Sequence, residues 1–231
     1  MSTPPVDQRP TRVMPARAAR SAAAFDALKH DIMLGVLAAG DPLVEMDLAG
    51  RFACSQGTVR EALLQLQEEG LVRRLGHRGT QVSDCTPDEA VEMFRVREQI
   101  ECNGVVRTLA RPSRNLVSDL EDLFGAMMEA ARDDDEMRLA AFDRDFHRRL
   151  FRDAELPALD PILHRCLVHN HRFKISQSAA GERDLAATAQ RHRPIIDAVS
   201  RGDVAATTRT LHHHIATIVD FGPSLFPGSG Q

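Results

Sequence analysis

Four residues in the second half of the sequence have the chemistry of metal ligands. Asp143 and His147 are four residues apart, so on a helix their side chains lie one turn apart on the same side. His192 and His214 follow at longer spacings. A carboxylate oxygen and three imidazole nitrogens are donors that divalent transition metals prefer, and zinc, nickel and manganese are the candidates. Four protein ligands also leave open positions on an ion that takes five or six.

Each of these residues falls on or beside an apolar stripe of helical period. Inward-facing titratable groups are costly unless they are paired or bind a metal, so four of them suggest one shared site. The alternative is that each histidine is a core residue with satisfied hydrogen bonds and that Asp143 pairs with a neighbouring arginine. For any one residue taken alone, this alternative is the better interpretation. The stripes consist of Leu139, Phe142, Phe146 and Leu150, of Leu185, Ala189, Ile196 and Val199, and of Leu211, Ile215 and Ile218.

The elements that position these residues are predicted to be helices. From Thr86 onward the periodicity is helical and no alternating strand pattern occurs, which predicts an all-α bundle of six or seven helices over residues 85–222. Thr86 is the expected N-cap of the first helix, with Pro87 at its first position. The predicted helices span 86–110, 114–132, 135–153, 157–178, 181–201 and 203–221.

Residues 21–84 predict a separate domain with three helices and a hairpin, so that the chain as a whole is mainly α. Ser55 is the expected N-cap of the third helix, whose inner face leaves Gln56, Thr58 and Arg60 to solvent. Gly70 is expected to end that helix. The two earlier helices are predicted at 21–37 and 45–53, and the hairpin strands at 71–75 and 80–82.

A helix, a turn, a second helix and a small hairpin form the winged helix-turn-helix arrangement, in which the second helix enters the major groove of DNA. This part of the chain resembles the amino-terminal domain of GntR-family bacterial transcription regulators. The likeness is carried by DLAGRFACSQGTVREALLQLQEEGLVRR, by HRGTQV after it and by LKHDIMLGVLAAGDPL before it, and it covers about residues 22–84.

The resemblance implies which residues contact operator DNA. Ser55, Thr58 and Arg60 correspond to phosphate or base contacts, and Gln56 stands where the family usually has arginine. Arginine suits guanine and glutamine suits adenine, so the preferred site is expected to differ from the usual one. The wing that touches the minor groove corresponds to His77, Arg78 and Gly79.

The region from about Thr86 to Phe221 resembles the FCD ligand-binding domain of the FadR-type branch of the same family. The likeness is carried by the segment from Asp143 to His147, by RHRPIIDAVSRGD and by His214. It implies that Asp143, His147, His192 and His214 bind a divalent metal and that a small organic acid effector binds beside it. Arg97 matches a common arginine of that domain, and either an effector carboxylate or Glu101, one turn on, is its expected partner.

Composition limits the remaining possibilities. The chain has 231 residues, a formal net charge of −4 and no Tyr or Trp, which argues against bulk attraction to polyanions and against stacking on single strands. No run is long enough to span a membrane and no signal peptide is recognisable, so a cytoplasmic location is predicted. The four scattered cysteines fit small apolar residues in a reducing compartment. Residues 1–20 are predicted to be a disordered basic tail and residues 223–231 a loose tail.

These observations together predict a DNA-binding transcription regulator, acting as a repressor and not as an enzyme. Because operators of such folds are pseudo-palindromic, a homodimer on double-stranded DNA is expected. One alternative is a direct metal sensor, in which the ion itself is the signal. Another is a metal-dependent enzyme, although no separate general base is evident beside the four ligands.

Overall fold

The computed structural model describes residues 16–176 and 183–217, and its first part is a small helical domain with a three-stranded antiparallel sheet. In the sheet, the edge strands β1 and β2 both pair with β3, with Leu43 opposite Thr80 and Val72 opposite Val82. The elements are α1 (Ala16–Met33), β1 (Pro42–Leu43), α2 (Glu45–Arg51), α3 (Gln56–Glu68), β2 (Val72–Arg74) and β3 (Thr80–Val82), with a 3-10 turn at Gly76–Arg78 between the last two.

Local chemistry defines the ends of α3. The Ser55 hydroxyl accepts the Thr58 backbone N–H at 3.2 Å, which caps the first turn as expected. Gly70 has φ +78°, a left-handed conformation that ends the helix and that other residues adopt only with strain. Between these ends, Val59, Leu63 and Leu66 are buried in the apolar core of this domain.

Seven helices follow in the part of the chain that the structure describes, which confirms the mainly α fold of a winged helix-turn-helix and a helical bundle. Thr86 and Glu89 form a reciprocal capping box at the start of the first of them. This helix packs so closely on α6 that a Cβ on Gly104 would lie 2.4 Å from the Phe151 ring. The helices are α4 (Pro87–Ala110), α5 (Leu116–Arg132), α6 (Glu136–Arg152), α7 (Asp160–Ser176), α8 (Leu185–Gln190), α9 (Arg193–Ser200) and α10 (Val204–Ala216).

The single helix predicted over 181–201 is wrong, because two short helices, α8 and α9, occupy this range. Pro194 lies in the first turn of α9. A proline ring lacks an N–H and clashes with the carbonyl four residues earlier, so a helix cannot run through it without a kink. The chain turns at Arg191 and His192, and His192 becomes the residue that precedes α9.

The first helix and the tails also differ from expectation. The helix predicted over 21–37 instead runs from Ala16 to Met33, so residues 16–20 belong to α1 and not to a disordered tail. Strand β1 was not predicted. The remaining tail residues, 1–15 and 223–231, lie outside the described residues, as do 177–182 and the end of the last predicted helix from 218 onward. None of the described helices is both long and apolar enough to cross a membrane.

Candidate metal centre and nucleic-acid surface

The four predicted metal ligands converge inside the helical bundle. One ligand atom from each of them can be chosen so that all four lie within 4.8 Å of one another. All four side chains are buried, and His147 and His192 are 0% exposed. The grouping predicted from separate apolar stripes is therefore present as one compact cluster, contributed by Asp143, His147, His192 and His214.

Different elements bring the ligands together. Asp143 and His147 project from adjacent turns of α6, His192 lies at the turn before α9, and His214 lies in the last turn of α10. The guanidinium of Arg191 donates to the carbonyl oxygen of His214 at 3.0 Å and so ties the end of α10 to that turn. The Phe146 ring packs edge-on against His192, with ring centroids 4.8 Å apart.

Neighbouring acceptors orient two of the imidazole rings. Nδ1 of His147 lies 2.6 Å from a Glu101 carboxylate oxygen, and Nδ1 of His192 lies 3.0 Å from the carbonyl oxygen of Ala189. Since both acceptors require a proton on Nδ1, each ring keeps the lone pair of its Nε2 for the interior. Carboxylate and carbonyl oxygens that orient histidines in this way are characteristic of metal sites.

Several polar atoms of the cluster lack a hydrogen-bond partner among the described residues. They include Nε2 of His192, which lies 3.1 Å from Asp143 without the alignment of a hydrogen bond, Oδ2 of Asp143 and Nδ1 of His214. Nε2 of His147 and Nε2 of His214 are 3.2 Å apart. Buried lone pairs this close repel each other unless a proton or a cation lies between them. The residues present therefore fit a divalent transition metal, which would accept the lone pairs of all three rings.

Electrostatics keeps the ring nitrogens available as ligands. Burial lowers the pKa of His147, and it lowers the pKa of His214 well below the usual value, so both rings stay neutral near pH 7. Burial alone would raise the pKa of Glu101, but the Arg97 guanidinium and His147 outweigh it and lower this pKa to about 2. Glu101 is thus a carboxylate under all ordinary conditions and accepts the His147 proton.

Glu101 was predicted only as a partner of Arg97, and His171 was not among the predicted metal ligands. Glu101 lies seven residues after Phe94, on the buried side of α4. The helical period therefore places a charged residue on an apolar face, and this signal in the sequence could have identified it. Nδ1 of His171, on α7, lies 3.8 Å from Oδ2 of Asp143. Its contact depends on how α7 packs against α6, and no local pattern reports that.

Arg97 forms the ion pair that was one of its two predicted partnerships. It is 2% exposed, and its Nε lies 2.5 Å from Glu101. Among the described residues, Nη2 of Arg97 has no hydrogen-bond partner. One donor of the guanidinium therefore remains for another acceptor in the interior.

The predicted reading surface at the start of α3 is mostly exposed. Ser55, Gln56 and Arg60 face solvent, and Nε of Arg60 donates to Glu45 at 2.6 Å. Thr58 differs from expectation, since it is only 3% exposed. Its hydroxyl lies 2.9 Å from that of Ser55, and its carbonyl oxygen accepts a hydrogen bond from the Ser21 hydroxyl of α1. Because its side chain is buried, Thr58 is not positioned to reach DNA.

The predicted wing is the connection between β2 and β3. His77 and Gly79 are exposed there, and Arg78 ends the 3-10 turn. Two exposed arginines on β2 were not among the predicted contacts, namely Arg73 and Arg74. An Arg74 nitrogen lies 3.9 Å from Glu45, the same carboxylate that pairs with Arg60 on the other side. Helix α3 and strand β2 thus share one acidic partner.

Helix α7 connects the candidate metal centre with the N-terminal domain. Its His169 donates through Nε2 to the carbonyl oxygen of Glu69, the C-cap of α3, at 3.1 Å. The Glu69 carboxylate accepts from Lys29 at 2.7 Å. Further along, Arg172 donates to the carbonyl oxygen of Ser83, just after β3, at 2.7 Å. Since His171 of the same helix faces Asp143, α7 touches both functional regions.

Comparison with known families gives two matches that together cover most of the chain. A family model described as bacterial regulatory proteins, gntR family, matches residues 20–82. A second model, described as the FCD domain, matches residues 92–217.

Related sequences carry the names of repressors. The chain is 31% identical over 192 residues, 83% of each chain, to a protein of Paenarthrobacter nicotinovorans named as a probable D-xylose utilization operon transcriptional repressor. It is 24% identical to the gluconate operon transcriptional repressor of Bacillus subtilis, over 84% of this chain and 81% of that one.

Solved structures share the fold. E. coli McbR/YncC superimposes with a TM-score of 0.69 at 18% identity, covering 85% of this chain and 93% of that chain. A protein from Rhodococcus sp. RHA1, described as a putative transcriptional regulator GntR, superimposes with a TM-score of 0.66 at 24% identity. The match covers 85% of this chain and 94% of that chain. At these identities the likeness concerns the architecture alone.

Proposed function

The chain belongs to the GntR family of bacterial regulatory proteins and carries an FCD domain, and on this premise we propose that it is a repressor controlled by a small carboxylate bound beside a metal. It is a DNA-binding transcription regulator and not an enzyme. The proposal concerns the finer points: repression, the metal, the effector and the homodimer. Its relatives named as repressors support the first of these.

The observation that carries the proposal is the convergence of four buried ligand atoms within 4.8 Å. Asp143, His147, His192 and His214 would hold the ion, and Glu101 would keep His147 in the required tautomer. When bound, a divalent metal supplies a positive centre with open positions for a carboxylate oxygen. The free donor of Arg97 offers the same carboxylate a second contact.

The operator would be read by the exposed start of α3 and by the wing. Ser55, Gln56 and Arg60 are the proposed contacts in the major groove, whereas Thr58 is buried and its hydroxyl lies against that of Ser55, the N-cap of α3. A second copy of the chain would place a second reading helix one turn of DNA away. The proposed wing contacts are His77, Arg78 and Gly79.

Effector binding must change the relative free energies of two arrangements of the protein in order to change DNA affinity. Helix α7 provides a physical route, since His171 faces the metal centre while His169 and Arg172 hold the end of α3 and the exit of β3. A shift of α7 on ligand binding would re-aim the reading helix and the wing together through the 83–87 connection.

The first test is the metal content of untagged protein, measured by elemental analysis. We expect about one transition metal ion per chain in the parent protein and none in the double variant His192→Ala, His214→Ala, because two of four ligands are then lost. The matched control is His30→Ala, His213→Ala, which removes two exposed histidines and should retain the metal.

The metal-loaded protein is then titrated with small carboxylates while operator binding is followed by fluorescence anisotropy. Release of DNA by a carboxylate from the parent, and not from the His192→Ala, His214→Ala variant, is the expected result. A metal-free parent that still folds and binds DNA would refute the metal centre. If no carboxylate changes operator binding by the metal-loaded parent, effector control is refuted and the metal itself remains as the signal.

A further inference from the structure

A second group of buried polar atoms lies beside the metal centre, outside its ligand set. Asn170, on α7, is 1% exposed, and neither the Nδ2 nor the Oδ1 of its amide has a hydrogen-bond partner among the described residues. Nη2 of Arg97, on α4, is in the same condition. Buried amides are almost always bonded on at least one side, because water bonds are lost on burial and must be replaced.

The position of Asn170 follows from the faces of α7. Cys166, Asn170 and Lys174 are four residues apart and all buried, so they form one stripe. Val168, on the opposite side, belongs to the core of the winged domain. The stripe therefore points away from the DNA-binding domain and into the bundle, where α7 packs against α4 and α6.

The residues on either side of Asn170 in this stripe, Cys166 and Lys174, indicate which part of the bundle the stripe faces. Besides burial, the charges of Arg97 and Glu101 act on the pKa of Cys166, and those of Asp143 and Arg97 act on the pKa of Lys174. Burial lowers the pKa of Lys174 to about 8, so near pH 7 it remains mostly a cation. Asn170 lies between these two residues on the stripe, where α7 packs against α4, which carries Arg97 and Glu101, and against α6, which carries Asp143.

The unsatisfied atoms specify the chemistry of what would fill this space. Arg97 Nη2 is only a donor, so it requires an acceptor such as a carboxylate oxygen. The Asn170 amide can both donate and accept a hydrogen bond, and a hydroxyl group can do the same in return. A hydroxyl next to a carboxylate also supplies a second oxygen to a metal with open positions.

We propose that Asn170 and Arg97 form the half of the effector site that faces the metal, and that Asn170 selects an acid bearing a hydroxyl group close to its carboxylate. This inference rests on the proposed function, because it assumes that an acid binds at the metal centre. It adds the chemical class, a small hydroxycarboxylate, and the residue that distinguishes it from the corresponding acid without the hydroxyl. A site that hydrogen-bonds a hydroxyl discriminates strongly, since the analogue leaves its polar groups unpaired.

The test uses zinc-loaded full-length protein and two pairs of acids that differ by one hydroxyl, lactate with propionate and malate with succinate. Calorimetric titration should show at least a tenfold tighter Kd for the hydroxylated member of one pair. In Asn170→Leu, which has similar volume and no polar atoms, the ratio should fall to about one. Asn103→Leu makes the same change at an exposed site of α4 and should keep the parent ratio.

Asn170→Ala serves as a second variant in case the leucine side chain prevents folding, and the same loss of ratio is expected from it. Zinc content of each variant is measured to show that the ligand set is intact. Equal affinity within both pairs in the parent would overturn the inference. It would mean that a buried water, and not the effector, forms the hydrogen bonds of the Asn170 amide. A ratio that survives both substitutions would overturn it as well. If the acids bind without discrimination, only this inference fails, whereas failure of all four acids to bind overturns this inference and also counts against the proposed effector control.

Discussion

The two regions of the molecule each contain an Arg–Glu pair of nearly equal length, placed in opposite surroundings. On the reading surface, Arg60 lies 2.6 Å from Glu45, with side chains 55% and 26% exposed. In the bundle, Arg97 lies 2.5 Å from Glu101, with side chains 2% and 1% exposed. The two distances are nearly equal, so the main difference between the pairs is their exposure to water.

That difference determines what each pair can do. Exposed ion pairs contribute little, because water and salt compete with them, so Glu45 can be exchanged for a DNA phosphate at low cost. A buried pair has lost its water on both sides, and removal of one partner leaves a charge that nothing compensates. The reading surface therefore keeps exchangeable partners, while the bundle keeps fixed ones.

The largest predicted effect is that of Glu101→Gln, which breaks the buried pair. We expect the free energy of unfolding to fall by about 3–5 kcal/mol, because the Arg97 charge remains in the interior without its carboxylate. Metal affinity should also fall by roughly 10–100-fold, since the oxygen that orients His147 becomes a neutral amide. Urea unfolding and competition with a chelator measure the two quantities.

Glu45→Gln is the matched control, because it makes the same change in the exposed pair. Its cost should stay within about 1 kcal/mol. Equal losses for the two variants would contradict the comparison and would mean that water reaches the Arg97–Glu101 pair.

An intermediate effect is expected where the two regions meet, at His169. Burial, with the nearby charges of Arg172 and Arg165, lowers the pKa of His169 from 6.5 to about 4. The folded state therefore holds this ring neutral at a pH where the unfolded chain takes up a proton. Its contribution to stability is complete above pH 6.5 and is lost progressively as the pH falls toward 4.

His169→Gln keeps a donor for the Glu69 carbonyl oxygen and does not titrate. Between pH 7 and pH 5, the parent should lose about 2 kcal/mol more unfolding free energy than this variant. Urea unfolding of chelator-treated protein at both pH values measures the difference, and His213→Gln controls for the loss of an exposed histidine. If parent and variant lose the same amount, the His169 ring is already solvated in the folded protein.

The same contrast explains what the sequence could predict. Asp143 and His147 were predictable because one helix carries both at a fixed spacing, and His192 and His214 because each continues an apolar stripe. Glu101 carried a readable signal, a charge on a buried face. His171 and Asn170 did not, because their surroundings come from the packing of α7 on α4 and α6, which no periodicity within α7 encodes.

Of the two main errors, one came from contact between two elements and the other from a local feature of the chain. Thr58 was predicted to face solvent because it lies off the apolar stripe of α3, but its side chain is buried beside Ser55, and Ser21 of α1 donates to its carbonyl oxygen. The break at His192 has a local cause in Pro194, which cannot lie inside a straight helix. The stripe still placed His192 correctly, because the turn before α9 keeps an αR backbone at this residue and so preserves its inward direction.

The smallest predicted effect concerns DNA and uses the exposed pair again. Glu45 lies 2.6 Å from Arg60 and 3.9 Å from Arg74, so it neutralises cations that would otherwise face phosphates. Glu45→Gln should therefore tighten operator binding about threefold to tenfold, equivalent to roughly 1 kcal/mol. Arg60→Gln should weaken binding and reduce the slope of log affinity against log salt by about 1. Fluorescence anisotropy over a range of salt concentrations measures both.

The double variant decides whether the exposed pair acts by exchange. If Glu45 competes with phosphate for Arg60, most of the gain from Glu45→Gln must disappear once Arg60 is also Gln, and only the weaker influence on Arg74 remains. A gain that persists in full would show that Glu45 repels DNA through its charge alone. The effect of Glu45 on DNA binding would then be independent of its ion pair with Arg60, in contrast to the buried pair, where Arg97 and Glu101 depend on each other.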